Sequence, residues 1–140
     1  MVRNSILVER PVEAVFDYAA QFDRHPEWQD DLKAATFQGP PAVGATGTET
    51  RQMGPRLHSY DWQVSAFDRP RTLGFETLTG AMRPKGTMTF SATDAGTQVD
   101  FEMDLNPRGV MKLMRPLIER QVQKANTEHL ENFKKILEAS

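Results

Sequence analysis

The stretch Val8–Leu32, VERPVEAVFDYAAQFDRHPEWQDDL, decides the fold. Pro11 suits the first helical position, where its missing N–H costs nothing. Val12, Val15, Phe16, Ala19 and Phe22 recur at helical spacing, with Glu13 and Asp17 turned away. The spacing predicts a short helix with one apolar stripe. Asp23 suits the N-cap of a second short turn through His25, Pro26 and Trp28, and His25, preceding a proline, is biased away from helix. Upstream, Val2–Glu9 alternates, with Val2, Asn4, Ile6 and Val8 on one side, and predicts a first strand. Two short helices between a first strand and everything else can wrap a curved sheet around a terminal helix and leave a cavity between them.

The segments downstream fit that plan. Strands are predicted at Leu32–Gln38, Thr46–Met53, Leu57–Phe67, Leu73–Thr79, Thr87–Thr93 and Gln98–Asn106, separated by Gly39-Pro40-Pro41, Gly54-Pro55, Asp68–Arg71 and Asp94–Thr97. In the long strand His58, Tyr60, Trp62, Val64 and Ala66 share a face. In the last, Val99, Phe101, Met103 and Leu105 face in while Asp100, Glu102 and Asp104 face out, the pattern of an antiparallel sheet wet on one side. Val110–Leu137 is helical by pattern. Pro116 inside it predicts either a kink or a short helix over Val110–Arg115 followed by the long one.

Composition narrows the function classes. At 140 residues, 39% hydrophobic and 26% charged, the chain suits one globular domain over residues 1–140, able to bury roughly 70% of its unfolded surface. A net charge of −2 and a pI near 5.9 argue against nucleic acid as a partner. There is no cysteine, hence no disulfide, thiolate ligand or Cys nucleophile, and the expected location is cytoplasmic. No apolar run has the length of a membrane span, and MVRNSILVERP lacks the apolar core of a signal peptide.

Val8–Phe16, the His25-Pro26-Glu27-Trp28 turn, Gly86–Phe90 with Gly96–Val99, and the closing Leu130–Lys134 together resemble the START-like (SRPBCC) superfamily, in its polyketide cyclase/dehydrase-like branch. The resemblance covers nearly the whole chain. It implies an α+β helix-grip fold: a curved seven-stranded antiparallel sheet, two short helices after strand 1, and a long C-terminal helix over an internal cavity entered near the short helices. It implies ligands such as lipids, polyketides or isoprenoids and names no shared catalytic motif. Fold alone does not give activity.

Each candidate residue carries two readings. Trp28 either lines a cavity mouth or packs the short helices against the sheet. Tyr60 and Trp62, with Phe75 as a neighbour, form an aromatic wall with polar handles if their face lines a cavity. Glu49 and Arg51, with Met53 beyond, either project inward to hold a polar ligand group or make a weak ion pair on a solvated strand. Met53, Met88, Met103, Met111 and Met114 suit a pliable lining or an ordinary core. On the last helix Met114, Leu117 and Ile118 belong to the apolar stripe and are expected at the ligand, and Gln121 and Asn126 interrupt that stripe, as ligand partners or as its border.

His58 and Glu49 are the acid–base candidates, His58 because it shares the Tyr60 and Trp62 face. His25, His58 and His129 have no metal-ligand spacing, so no metal or cofactor is expected. The partner expected is a small hydrophobic molecule, bound by a monomer or homodimer. Three function classes stay open: a binding protein for such a molecule, a cofactor-free cyclase or dehydratase, and a non-catalytic interaction module.

Overall fold

The alternation that predicts the first strand builds one edge of a seven-stranded sheet. The computed structural model describes residues 1–140. Its strands are β1 (Val2–Val8), β2 (Leu32–Phe37), β3 (Thr46–Met53), β4 (Arg56–Asp68), β5 (Thr72–Thr77), β6 (Lys85–Thr93) and β7 (Gly96–Asp104). All pairs are antiparallel, in the order β1-β7-β6-β5-β4-β3-β2. After β1 the chain leaves the sheet to form α1 (Val12–Ala19) and a 3-10 helix (Phe22–Glu27), then returns at the opposite edge as β2 and meanders back. A second 3-10 helix (Gly109–Met114) leads into α2 (Arg115–Ala139).

The core lies between the concave face of the sheet and the helices. Val8, Val15, Phe16, Val99 and Phe133 are fully buried there, and Phe16 meets Phe67 and Phe90 edge-on at 5.4 and 5.3 Å. Polar side chains pin α2 to β1. Asn4 Nδ2 donates to Gln123 O at 3.2 Å and to Thr127 Oγ1 at 3.1 Å, and Gln123 Nε2 donates to Arg3 O at 2.7 Å.

Five details depart from the sequence reading or resolve it. Pro11 is the N-cap of α1 and not its first helical residue. Asp23 caps nothing: the helix that follows α1 is preceded by Gln21 and has no side-chain cap. Pro26 lies inside that helix, and Trp28 N–H closes on His25 O at 3.1 Å, a tighter turn than an α-helix. On β4 a bulge between Val64 and Ala66 inserts one residue, so Phe67 and not Ala66 packs on the core. Of the two alternatives at Pro116, the split holds. The proline sits in the first turn of α2, where no hydrogen bond is lost.

Candidate functional site

Sheet and α2 do not close on each other completely. Between them is a cavity of about 420 Å3. Its apolar wall comes from the sheet through Leu73, Phe75, Met88, Phe101 and Met103, and from α2 through Val122, Ala125 and Leu130. Phe22, Trp28 and Trp62 close the aromatic end. Trp62 is 5% exposed, stacks on Phe37 at 5.6 Å and meets Phe22 edge-on at 5.0 Å. It fits because β3 carries glycine opposite: a Cβ on Gly47 would lie 2.9 Å from Trp62 Nε1 and 2.7 Å from Thr36 O. Trp28, 3% exposed, meets Phe133 edge-on at 5.0 Å.

One side of this apolar space is strongly polar. The alternation of β3 turns Glu49 and Arg51 inward, and β4 places Tyr60 opposite Glu49. Tyr60 O–H donates to Glu49 Oε1 at 2.7 Å while its oxygen accepts from Arg51 Nε at 2.9 Å. Arg51 also donates to Asp31 Oδ1 at 2.7 Å, Gln29 Oε1 at 2.9 Å and Glu49 Oε1 at 3.4 Å. From α2, His129 Nε2 reaches Asp31 Oδ1 at 3.0 Å. Side-chain exposures of 20% for Arg51 and 11% for Glu49 decide between the two readings of this pair: it faces inward and is not a solvated surface contact.

The cluster fixes its own charges. Burial raises the Tyr60 hydroxyl far above its usual value, so it stays protonated and donates. Burial works against the Arg51 charge, but Tyr60, Glu49 and Asp31 together outweigh it and hold the guanidinium protonated. Burial also works against the Asp31 carboxylate, yet His129 and Arg51 keep it below the ordinary range. Behind Trp28, burial pushes the His25 imidazole below its usual value; its Nε2 lies 2.7 Å from Ala19 O.

Polar capacity is left over toward the cavity. Glu49 and Asp31 each engage one oxygen in these bonds, leaving Glu49 Oε2 and Asp31 Oδ2 as acceptors. The buried donors Asn126 Nδ2, Trp28 Nε1 and Trp62 Nε1 have no protein partner, and all three residues line the cavity. A molecule offering both a donor and an acceptor is the group that would satisfy such a set. No three His, Asp or Glu side chains converge in a way that could hold a metal ion.

The structure brings Trp28, Glu49, Arg51, Met53, His58, Tyr60, Trp62 and Phe75 to the cavity wall. Met88, Met103 and Met111 join them, and Met114 does not. Four expected residues are displaced. Met114 and Leu117 are 47% and 50% exposed, Gln121 is exposed, and Ile118 packs with Val2 and Leu105 in a separate small cluster. The reason is Pro116 in the first turn of α2: the helix starts at Arg115, and its cavity-facing residues begin about two turns later, at Val122, Ala125, Asn126 and His129. The opening is also displaced. The lining residues that solvent reaches most, Met53, His58, Ser59, Thr79, Gly80 and Ala81, lie at the facing ends of β3 and β4 and on the β5–β6 connection, while the short helices contribute the closed aromatic end. The sequence pattern does not single out Asp31, Gln29 or His25 as site residues. The one signal for Asp31 is register: Leu32 pairs with Arg51, which sets the preceding carboxylate beside the guanidinium.

Residues 1–138 match the family model described as polyketide cyclase / dehydrase and lipid transport. None of the curated protein sequences matches the chain. Among solved structures, TTHA0849 from Thermus thermophilus aligns with a TM-score of 0.85 at 15% identity, covering 99% of this chain and 97% of that one. The ZhuI aromatase/cyclase from Streptomyces sp. R1128 aligns at 0.84 and 13% identity, covering 98% and 92%. Ara h 8.0201 aligns at 0.76 and 12% identity, covering 99% and 97%. At these identities the likeness shows the fold, and that fold is the expected helix-grip.

Proposed function

Because the chain belongs to the polyketide cyclase / dehydrase and lipid transport family, we propose that its cavity binds a small, largely apolar molecule through one hydroxyl or carbonyl group. The carrying observation is the cavity itself: about 420 Å3, apolar on most sides, with Arg51, Tyr60, Glu49, Asp31 and His129 gathered on one. That size and lining suit a small-molecule site. The hydrogen-bond inventory narrows the head group. Most of the Arg51 donors are already committed, and two carboxylates face one guanidinium, so a ligand carboxylate would meet excess negative charge. A hydroxyl can donate to Glu49 Oε2 and accept from Asn126 Nδ2.

The protein has two tryptophans and both line the cavity, so its intrinsic emission reports occupancy. Titration with 1-decanol and with decanoate compares two heads on one chain. The expected result is a saturable change with decanol and binding weaker by about tenfold or more for decanoate, the cost of a hydrogen bond left unmade beside like charge. No saturable change with either, or tighter binding of decanoate, overturns the proposal.

A second reading, turnover of a poly-keto chain, is favoured by one arrangement. Glu49 lies in an apolar cavity 3.4 Å from the Arg51 guanidinium. Such a carboxylate can take a proton from a carbon between two carbonyls while the cation stabilises the enolate oxygen. His58 stands on the exposed rim, opposite Arg51 across the β3–β4 ladder.

A further inference from the structure

We propose that the mouth of the cavity docks on an anionic membrane surface. Of the nine exposed large apolar side chains, all but Val43 lie at one end of the molecule. The antiparallel order places the end of β3, the start of β4, the end of β5, the start of β6, the end of β7 and the approach to α2 together there. Met53 and Leu57 flank the β3–β4 turn, Leu78 starts the β5–β6 connection, and Val110 and Leu113, at 80% and 86% exposed, stand on the second 3-10 helix. Each of these three segments also contributes residues to the cavity lining: Met53 and His58, then Gly80 to Met82, then Met111. The apolar rim and the opening are one surface. A patch of this kind on a soluble face marks a site of association.

Charge selects the occupant. Segments 53–58, 78–84 and 108–117 carry Arg56, Arg83, Arg108, Lys112 and Arg115, and not one of the chain's nineteen acidic residues. The chain as a whole is at −2. Of the five cations only Arg115 is in an ion pair, with Asp104 at 2.8 Å and Glu119 at 3.5 Å. Exposed leucine, valine and methionine ringed by unpaired cations match the boundary between acyl chains and anionic headgroups. An acidic protein would satisfy the charges but offers no reason for seven protruding apolar tips on the segments that line an opening. Docking here would turn the cavity mouth toward the bilayer, so that an apolar molecule could pass between them without crossing water.

The test is co-sedimentation with vesicles of phosphatidylcholine alone and of phosphatidylcholine mixed with phosphatidylglycerol. It is read without added ligand, so it succeeds or fails independently of the tryptophan titration. The protein is expected to sediment with the mixed vesicles, weakly with the neutral ones, and to be released by salt. Removing two cations in Arg108→Ala/Lys112→Ala should weaken binding by about thirtyfold. Leu113→Asp, at a side chain too exposed to affect folding, should weaken it by about tenfold or more. No sedimentation with mixed vesicles at low salt, or binding unchanged by Leu113→Asp, overturns the proposal. So does a concentration-dependent dimer abolished by Leu113→Asp in a protein that ignores vesicles, which would assign the rim to a second copy of the chain.

Discussion

Replacing Arg51 with Met keeps most of the aliphatic stem and removes the guanidinium. Four hydrogen bonds go with it, to Tyr60, Asp31, Gln29 and Glu49. Glu49, 11% exposed, is left with the Tyr60 hydroxyl alone, and Asp31, 33% exposed, with His129. Stranding a buried charge costs about 3–5 kcal/mol. The residual exposure of Asp31 and its contact with His129 put this site at the lower end, about 3 kcal/mol. With a urea slope of about 1.5–2 kcal/mol/M for a small domain, the unfolding midpoint should fall by about 1.5–2 M at pH 7.

The pH dependence carries a second signature. In the native protein His129 and Arg51 outweigh burial and hold Asp31 low, so its contribution is intact above about pH 4 and is lost only as pH falls through its folded value. Without Arg51, burial acts on the Asp31 carboxyl with less opposition and raises it. A raised carboxyl destabilises fully at neutral pH and ceases to do so once both states are protonated. The deficit of Arg51→Met should therefore shrink between pH 7 and pH 4.5. Adding Glu49→Gln should recover about 1–2 kcal/mol, since the two sites share one network. The assay is urea unfolding followed by far-ultraviolet circular dichroism at both pH values. A loss under about 1 kcal/mol at pH 7, or an equal loss at both, refutes the view that Arg51 neutralises carboxylates inside the cavity.

Two further outcomes concern the frame around the site. A Cβ on Gly86 would lie 2.6 Å from Phe75 Cε1, 2.9 Å from Phe101 Cε1 and 2.9 Å from Glu102 O, so Gly86→Ala should lower stability by about 1–3 kcal/mol in a thermal melt; an unchanged melt would mean that the aromatic wall yields freely. Burial lowers the His25 pKa from an unfolded value near 6.5, so its stabilising contribution is complete above about pH 6.5 and diminishes as pH falls from there. Unfolding free energy should decline from pH 6.5 to 5, more steeply than in His25→Gln; identical slopes would show that His25 titrates alike in folded and unfolded chains.

Period and anomaly made part of this molecule legible in its sequence. β7 is readable because Val99, Phe101, Met103 and Leu105 alternate with three carboxylates, and that is a local property. Glu49 and Arg51 stand out because charge interrupts a strand that should have an apolar face, and the structure turns both inward. Phase is where local reading fails. Running one helical stripe from Val110 carries Met114, Leu117 and Gln121 to the cavity, but the 3-10 helix advances each residue by a larger angle than α-helix does, and α2 restarts its phase at Pro116. The same slip occurs on β4, where one inserted residue exchanges Ala66 for Phe67 on the core face. Asp31 and His129 complete the Arg51 cluster across distances in sequence that no periodicity spans. They arrive from a loop and from a helix whose placement depends on which strands become the edges of the sheet. A buried charge in a strand therefore predicts that partners exist, since an unpaired one would be too costly to keep, but the closed fold alone decides which residues they are.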